Sequence, residues 1–494
     1  MRTIKRAIVR LNELSQTLEP FLEQVYELPR KLTSGQIMEY LQSMRNDLYA
    51  YVEYPYVDKV YRNSYYYYFS TKHRRYDRDS IRVSLFERKI TDEHFREETH
   101  YEYLMENFLG FFTLRPTLVS IVGRSMISPK ALKARDFCCC LVRTSALING
   151  RKLSVEAFPY TSQDTETISC AETTVWGIME YFGNRYAEYK PVLPSTIISA
   201  LSSFSYERQI PSHGLTAEQI SYALKSFDFG VRVYARDIYK EDLRRIFNYY
   251  IESGIPFVAV LKNNDIGHGI IVMGRENWTQ STFATGKASE MISSGSRVVE
   301  IFDTADNVDR YLAMDDNFPP YQLANFDDPT GYYKDPKFKN CSICAIIVPL
   351  YHKIYLEALQ ARQLVFSIIK SDICRAISGK IVLRLQLTSS RSFKHSVSTN
   401  SSIDRKVRDL ILATDMAKFI WVAELSTLEL FPQKLAFGLI LLDATEANEN
   451  SLDALLLMLF SNNLVILTNN KELKSYPVPF GTFSIYLNNL KGGF

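Results

Sequence analysis

The chain has 494 residues, of which 46% are hydrophobic and 23% are charged, and its formal net charge is +3 at pH 7. These values are those of an ordinary globular protein with roughly two to four domains, and the near-balanced charge argues against a dedicated nucleic-acid binder. The sequence shows neither a signal-peptide pattern nor an apolar stretch long enough to cross a bilayer. We therefore expect a soluble cytoplasmic protein without a membrane or nucleic-acid partner.

Residues 1–150 are predicted to form an N-terminal domain. A helix is expected over residues 1–45, where apolar side chains recur every three or four positions. Residues 46–90 are rich in tyrosine beside arginine and lysine, which predicts antiparallel strands. Such a mixture can also stack on nucleic acid, but interleaved acidic residues favour a solvated strand face. The Asn149-Gly150 dipeptide, typical of a tight turn, marks the boundary.

Residues 151–350 alternate helix and strand and are predicted to form a central domain. Ser169 and Glu172 have the spacing of a capping box, so a helix is expected to begin at Cys170. Further elements follow along the chain: helices from Thr216 and over 240–252, and strands over 231–234, 255–261 and 268–273. A helix followed by an antiparallel sheet predicts the α+β class.

Residues 351–494 are predicted to form a C-terminal α+β domain. Helices are expected over 355–371 and 452–460, and the polar tract 388–402 is expected to be a loop. Strands are predicted over 381–387, 419–423, 435–442 and 464–467.

Cys170 is the candidate nucleophile. The free backbone N–H groups at a helix start favour negative charge, and hence the thiolate form of a cysteine. His268 opens an apolar strand later in the same domain, so its ring can reach that helix start as a general base. The group that orients His268 is left open between Asp303, Asp315 and Asp316. The position of Asp315 directly after a strand-like run favours it.

Gln163 lies shortly before Cys170 and supplies a side-chain amide. The backbone N–H of Cys170 supplies a second donor, and together they are suited to hold a developing oxyanion.

This set of residues resembles papain-like cysteine peptidases, and within them the bacteriocin-processing branch. A glutamine precedes a helix-starting cysteine, a histidine opens a later strand, and an aspartate closes the next one. The resemblance covers residues 160–320 and implies a papain-like central domain. It implies Cys170 as nucleophile, His268 as general acid and base, Asp315 as orienting group and Gln163 as oxyanion donor. The sequence departs from that branch in a long apparent insertion over 277–296.

The resemblance implies an intracellular cysteine hydrolase that cleaves a peptide or isopeptide bond through a thioester intermediate. Its partner would be a protein or peptide substrate. The alternative is an inactive papain-like module that binds a protein. Hydrolysis and acyl transfer, the substrate and the oligomeric state remain open.

The other cysteines are expected to be structural. Seven cysteines in a chain of this length give no disulfide framework. Cys341 and Cys344 form a CxxC pair, and positions 138–140 form a triplet, which raises the possibility of zinc. Both groups lie in apolar runs, and residues three apart in a strand point to opposite faces. We expect no metal, and the absence of a glycine-rich phosphate loop predicts no nucleotide cofactor.

Overall fold

The structure is a computed structural model. It describes residues 5–26, 35–117, 121–164, 166–167, 169–204, 214–278, 288–294, 297–447, 452–460, 462–468, 470, 472–479 and 481–494. Among these residues, every helix is too short or too polar to cross a bilayer. The insertion expected over 277–296 lies partly outside the described residues.

The described residues form the following α-helices: α1 (Leu14–Tyr26), α2 (Gln36–Ser43), α3 (Lys59–Tyr67), α4 (Asp92–Arg96), α5 (Tyr101–Asn107), α6 (Cys170–Arg185), α7 (Pro194–Ser202), α8 (Ala217–Ser226), α9 (Arg236–Tyr239), α10 (Asp242–Glu252), α11 (Ala358–Lys370), α12 (Ser390–Thr399) and α13 (Arg405–Ala413).

They also form the following strands: β1 (Lys5–Arg10), β2 (Tyr49–Tyr56), β3 (Ser80–Phe86), β4 (Phe108–Leu114), β5 (Val122–Ile127), β6 (Phe137–Cys139), β7 (Val142–Ile148), β8 (Arg151–Ala157), β9 (Phe229–Ala235), β10 (Phe257–Lys262), β11 (Gly267–Glu276), β12 (Glu290–Ser294), β13 (Arg297–Asp303), β14 (Arg310–Met314), β15 (Gln322–Asn325), β16 (Ser342–Tyr351), β17 (Gly379–Ser389), β18 (Phe419–Ser426), β19 (Leu435–Ala436), β20 (Gly438–Asp443), β21 (Leu455–Phe460), β22 (Asn463–Leu467), β23 (Leu473–Pro477), β24 (Phe483–Ser484) and β25 (Lys491–Gly492).

Three larger sheets organise these elements. The N-terminal sheet has the antiparallel order β1-β2-β3-β4-β5, and the middle sheet has the order β15-β14-β11-β10-β16-β9, with β6 added beside β11. The C-terminal sheet has the order β12-β13-β17-β18-β20-β21-β22-β23, in which β13 runs parallel to β17. Helices packed on largely antiparallel sheets confirm the α+β class. The papain-like arrangement of the central domain stays a prediction.

Strands cross the predicted domain boundaries. Asn149 and Gly150 have φ of 44° and 86° and form the turn of the β7–β8 hairpin, so a boundary at 150 divides one hairpin. Strand β6 comes from the predicted N-terminal domain and β25 from the predicted C-terminal domain, and they pair with each other beside β11 in the middle sheet. Strands β12 and β13 precede residue 350 but belong to the C-terminal sheet. Shared sheets and cores therefore tie the three regions together.

Two expectations for the first 90 residues need correction. Residues 5–10 form a strand within the expected helix over 1–45, because β1 pairs along its whole length with β2. Pairing to a neighbouring strand overrides the local helical periodicity. In the tyrosine-rich segment, residues 59–67 form helix α3 instead of a strand. Its start is capped by Asp58, whose side chain accepts a hydrogen bond from the Tyr61 N–H at 3.2 Å.

Two expectations for the C-terminal region are also wrong. Most of the tract expected to be a loop over 388–402 forms α12, which Ser389 caps by accepting from the Ser392 N–H at 3.1 Å. Phe393 and Val397, one helical turn apart, are buried and anchor it. Within the helix expected over 452–460, residues 455–460 form β21, which pairs with β20 on one side and β22 on the other. A short apolar run does not distinguish a buried helix from a buried strand.

Helix α6 packs against the middle sheet and is almost entirely buried, from Ala171 to Phe182. It passes close to β11 at Gly177, where a Cβ would lie 2.6 Å from Cδ1 of Ile271, and a Cβ at Gly269 would lie 3.9 Å from Cγ2 of Thr174. The start of the helix therefore lies near the start of β11, where His268 is located.

A buried ion network joins the middle and C-terminal sheets. Glu252, the last residue of α10, accepts from Arg275 on β11 and from Arg384 on β17, the latter with Nε at 3.0 Å. Arg384 also donates to Glu424 at 2.9 Å. The two arginines and two carboxylates offset one another's charge in the interior, which is a condition for burying them.

Candidate functional site

Cys170 is the first residue of α6, as the capping box predicts. The Ser169 N–H donates to Oε2 of Glu172 at 3.1 Å, and the Ser169 hydroxyl binds the same carboxylate. The Cys170 side chain is partly exposed, unlike the buried residues that follow it along α6. The thiol therefore lies on a partly exposed residue at the positive end of the helix.

The sheet brings His268 and Asp315 together. His268 is the second residue of β11, and Asp315 directly follows β14, which is antiparallel to β11 with Ile271 opposite Met314. The start of β11 and the end of β14 thus lie side by side at the same end of the sheet. Asp315 accepts a hydrogen bond from Nε2 of His268 at 3.0 Å, and both side chains are buried.

Donors surround the Asp315 carboxylate. Oδ1 also accepts the backbone N–H of Asn317 at 3.0 Å. Oδ2 accepts the hydroxyls of Tyr332 and Tyr333 at 2.7 and 2.6 Å. A buried carboxylate that receives this many hydrogen bonds is stabilised in its ionised form. Asp315 is therefore held as an anion beside the imidazole.

The pKa shifts of the pair agree with this geometry. Burial by itself lowers the pKa of His268, but the Asp315 carboxylate and a hydrogen bond with Cys170 raise it well above its ordinary value. Burial by itself raises the pKa of Asp315, but His268 and Tyr333 hold it below its ordinary value. Both directions favour a protonated imidazole beside an ionised carboxylate.

His268 is thus affected by both of its expected partners. Its Nε2 is engaged by Asp315, and Cys170 contributes to its raised pKa. The structure thus joins His268 and Asp315 directly, and Cys170 acts on the pKa of the same imidazole. Their roles as nucleophile, base and orienting carboxylate stay predictions.

Gln163 is linked to the surroundings of Asp315 by hydrogen bonds through Asn317. Its Nε2 donates to Oδ1 of Asn317 at 2.7 Å, while Nδ2 of Asn317 donates to the Tyr333 hydroxyl at 3.1 Å. One of the two N–H bonds of the Gln163 amide is used in this way, and the other has no acceptor among the described residues. Its role as an oxyanion donor stays a prediction.

The other two candidate carboxylates have different surroundings. Asp303 binds Tyr249 and accepts from Nε of Arg362 at 3.0 Å, so it belongs to a separate buried ion pair. Asp316 is buried next to Asp315, and its Oδ2 accepts from the Thr173 hydroxyl at 3.3 Å. Burial raises the pKa of Asp316 to about 7; His268 opposes this rise and Asp315 adds to it.

His268, Asp315 and Asp316 also form a set of possible metal ligands, whose ligand atoms lie within 4.8 Å of one another. Both oxygens of Asp315 already accept hydrogen bonds, so a metal would have to displace its donors. The cysteine groups at 138–140 and 341–344 belong to no such set in the part of the chain that the structure describes. The described cysteines are all free thiols.

Sequence reasoning did not identify Tyr332, Tyr333 and Asn317. They lie in connecting segments without helical or strand periodicity, so no pattern marks them. Arg115 was also missed: its Nη2 donates to the backbone oxygens of Ser162 and Gln163, both at 2.9 Å, and thereby fixes the segment before Cys170. The only available signal was its place beside Pro116 at the end of an apolar strand.

Comparison with protein-family models found no match for this chain. A search of curated proteins found no similar sequence either.

Proposed function

We propose that this protein is a cysteine hydrolase that cleaves a peptide or isopeptide bond through a thioester intermediate. The observation that supports the proposal is the hydrogen bond of His268 with Asp315, together with the contribution of Cys170 to the raised pKa of His268. A nucleophile, a base and a group that orients the base are the parts that covalent acyl transfer requires.

In the first step, the Cys170 thiolate attacks the carbonyl carbon of the scissile bond. The carbonyl electrons move to oxygen, and the backbone N–H of Cys170 and the free N–H of Gln163 stabilise the resulting oxyanion. The oxyanion then collapses, the carbon–nitrogen bond breaks, and the imidazolium of His268 gives its proton to the leaving amine. The products of this step are a thioester on Cys170 and a neutral imidazole.

In the second step, His268 removes a proton from water as the water attacks the thioester carbon. Collapse of that intermediate expels the Cys170 thiolate and releases a carboxylic acid, which restores the imidazolium–thiolate pair. Asp315 keeps the imidazole in the required orientation and stabilises its positive charge in both steps. An amine in place of water would give acyl transfer.

Contacts from the N-terminal region support a protein or peptide substrate. Glu166, in the segment before Cys170, accepts from the Tyr68 hydroxyl at 2.9 Å and pairs with Lys72. Arg115 holds the same segment at Gln163. The N-terminal region thus fixes the segment that precedes Cys170, and we propose that it takes part in recognising an extended chain. The free thiols favour a reducing, cytoplasmic location.

The test is cleavage of a peptide library derived from cell proteins, read by mass spectrometry in heavy-oxygen water. The proposal predicts new C-termini that carry the heavy isotope, because water resolves the thioester. Cleavage should disappear in Cys170→Ala and persist in Cys344→Ala, a matched change at another partly buried cysteine. Peptide binding without any cleavage would instead favour an inactive binding module.

A further inference from the structure

A cavity of about 480 Å³ lies at the end of α6 opposite to Cys170. Its walls come from the C-terminal turn of α6, the ends of β16 and β17, the first turn of α12 and the start of β18. Its volume lies within the range of roughly 300–1,000 Å³ that is usual for small-molecule sites. From Cys170 to Arg185, α6 spans about 22 Å, so the cavity is separate from the thiol site.

Aromatic rings form much of the cavity wall. Phe182, Tyr186, Tyr189, Tyr351 and Phe419 all line it. The Tyr186 ring stacks on Phe182 with centroids 5.7 Å apart, and Tyr351 lies 5.1 Å from Phe419. Walls of this kind favour a ligand with a flat apolar body, because aromatic rings pack in offset-stacked or edge-to-face geometry.

Positive charge exceeds negative charge around the same cavity. Arg185, Arg391 and Lys418 line it together with a single carboxylate, Glu188, which pairs with Lys418. Within the described residues, no carboxylate lies within ion-pair distance of Arg185 or Arg391. Two guanidinium groups at this cavity thus have no counter-ion in the part of the chain that the structure describes.

The partners of Arg185 are neutral. Its Nε donates to the Tyr186 hydroxyl at 3.2 Å and its Nη1 to the Leu141 carbonyl at 3.3 Å. A guanidinium has five N–H donors, so these bonds leave donors for an anion. The C-terminal carbonyls of α6 would repel an anion, but Arg185 lies in that last turn and offsets them.

The first turn of α12 adds to the positive potential. Ser389, Ser390, Arg391 and Ser392 all line the cavity, and α12 begins at Ser390. The positive end of the helix dipole is therefore directed towards the same space as the two arginines.

From the aromatic walls and the uncompensated arginines, we infer that this cavity binds a small organic anion with an aromatic body. The ring system packs against the tyrosine and phenylalanine side chains. The anionic group lies between Arg185 and Arg391 near the start of α12. This inference is independent of the thiol chemistry proposed for Cys170.

The test is isothermal titration of the full chain with 8-anilinonaphthalene-1-sulfonate, an aromatic anion of suitable size. Its neutral counterpart, N-phenyl-1-naphthylamine, carries the same rings without the sulfonate. We expect saturable one-to-one binding of the sulfonate and binding of the neutral amine that is weaker by about tenfold or more, since a charge-assisted hydrogen bond is lost.

Variants locate the binding. Arg391→Gln changes an exposed side chain and is expected to weaken sulfonate binding about tenfold, as is Arg185→Gln. Arg375→Gln is the control, because Arg375 is exposed and lies outside the cavity. Absence of one-to-one binding would overturn the inference. Equal affinity for the two probes, or affinity unchanged in Arg391→Gln, would do the same, even if Arg185→Gln fails to fold.

Discussion

The hydroxyl of Tyr333 donates a hydrogen bond of 2.6 Å to Oδ2 of Asp315. The hydroxyl oxygen of Tyr333 also lies 3.1 Å from Nε2 of His268. The Tyr333 ring stacks on Phe338 with centroids 3.9 Å apart. Tyr333 is thus fixed by its own packing and contacts both members of the base–carboxylate pair. Its geometry makes it a positioning residue for His268.

Replacing Tyr333 with phenylalanine removes one donor to the Asp315 carboxylate and keeps the stacked ring. A hydrogen bond to a charged group contributes about 1.5–3 kcal/mol, so we expect the peptide cleavage rate to fall about tenfold or more. The measurement is the cleavage rate as a function of pH, because an Asp315 carboxylate with one donor fewer has a less compensated charge, which raises the pKa of His268 and shifts the alkaline limb to higher pH. Tyr355→Phe, at an exposed tyrosine, should leave the profile unchanged. An unaltered profile in Tyr333→Phe would contradict the positioning role.

Asp315→Asn and Asp303→Asn distinguish two of the three carboxylates that the sequence analysis left open. Asp315→Asn removes the charge that stabilises the imidazolium, and we expect cleavage to fall by about two to four orders of magnitude. Asp303→Asn leaves Arg362 without its buried partner, so it should lower the free energy of unfolding. Its cleavage rate per folded molecule should not change. Rates and urea denaturation of both variants provide the check, and the reverse pattern would assign the role to Asp303.

Asp316→Asn should change how stability depends on pH. Because the pKa of Asp316 in the folded protein is about 7, its stabilising contribution is present below pH of about 4 and is lost as the pH rises through 7. An asparagine at this position does not titrate, so the variant does not lose stability in this way. Its free energy of unfolding relative to the wild type should therefore increase between pH of about 4 and about 7 and then level off. At about 1.4 kcal/mol for each pKa unit, the gain is at most about 4 kcal/mol.

Urea denaturation at a series of pH values measures this difference. Asp372→Asn, at an exposed carboxylate, provides a control that should stay close to the wild type at every pH. A stability difference for Asp316→Asn that does not vary with pH would contradict the raised pKa of Asp316.

Glu252→Ala tests the ion network between the middle and C-terminal sheets. The change leaves Arg275 and Arg384 buried without a shared counter-ion, and removing one partner of a buried ion pair costs about 3–5 kcal/mol. The measurement is the free energy of unfolding in urea. Glu300→Ala, which removes a partly exposed pair with Lys380 at 4.0 Å, should cost less than about 1 kcal/mol. Equal small losses would mean that the network contributes little.

The parts of the site that local sequence patterns encode were predictable. The capping box places Cys170 at a helix start, and the alternation of turn and apolar run places His268 and Asp315 at strand ends. Tyr332 and Tyr333 were not predictable, because only the folded sheet brings their connecting segment to Asp315. A sequence without aligned relatives carries no signal for such long-range contacts.

The same limit explains the errors in the fold. The apolar run at 455–460 satisfies both a helix and a buried strand, and its two partner strands decide the outcome. The polar tract at 390–399 reads as a loop because its helix buries only Phe393 and Val397. Pairing of β6 with β11 joins segments far apart in the chain, so domain boundaries drawn from local turns do not follow the sheets.

The most direct test of the central claim is the rate at which iodoacetamide alkylates each of the seven cysteines near neutral pH, followed by peptide mass mapping. The proposed pairing with His268 predicts that Cys170 reacts about tenfold faster or more than Cys344, the other partly buried cysteine, and that His268→Gln abolishes the advantage. If Cys170 reacts no faster than Cys344, or keeps its rate in His268→Gln, the thiolate–imidazolium pair does not exist and the proposed hydrolase is wrong.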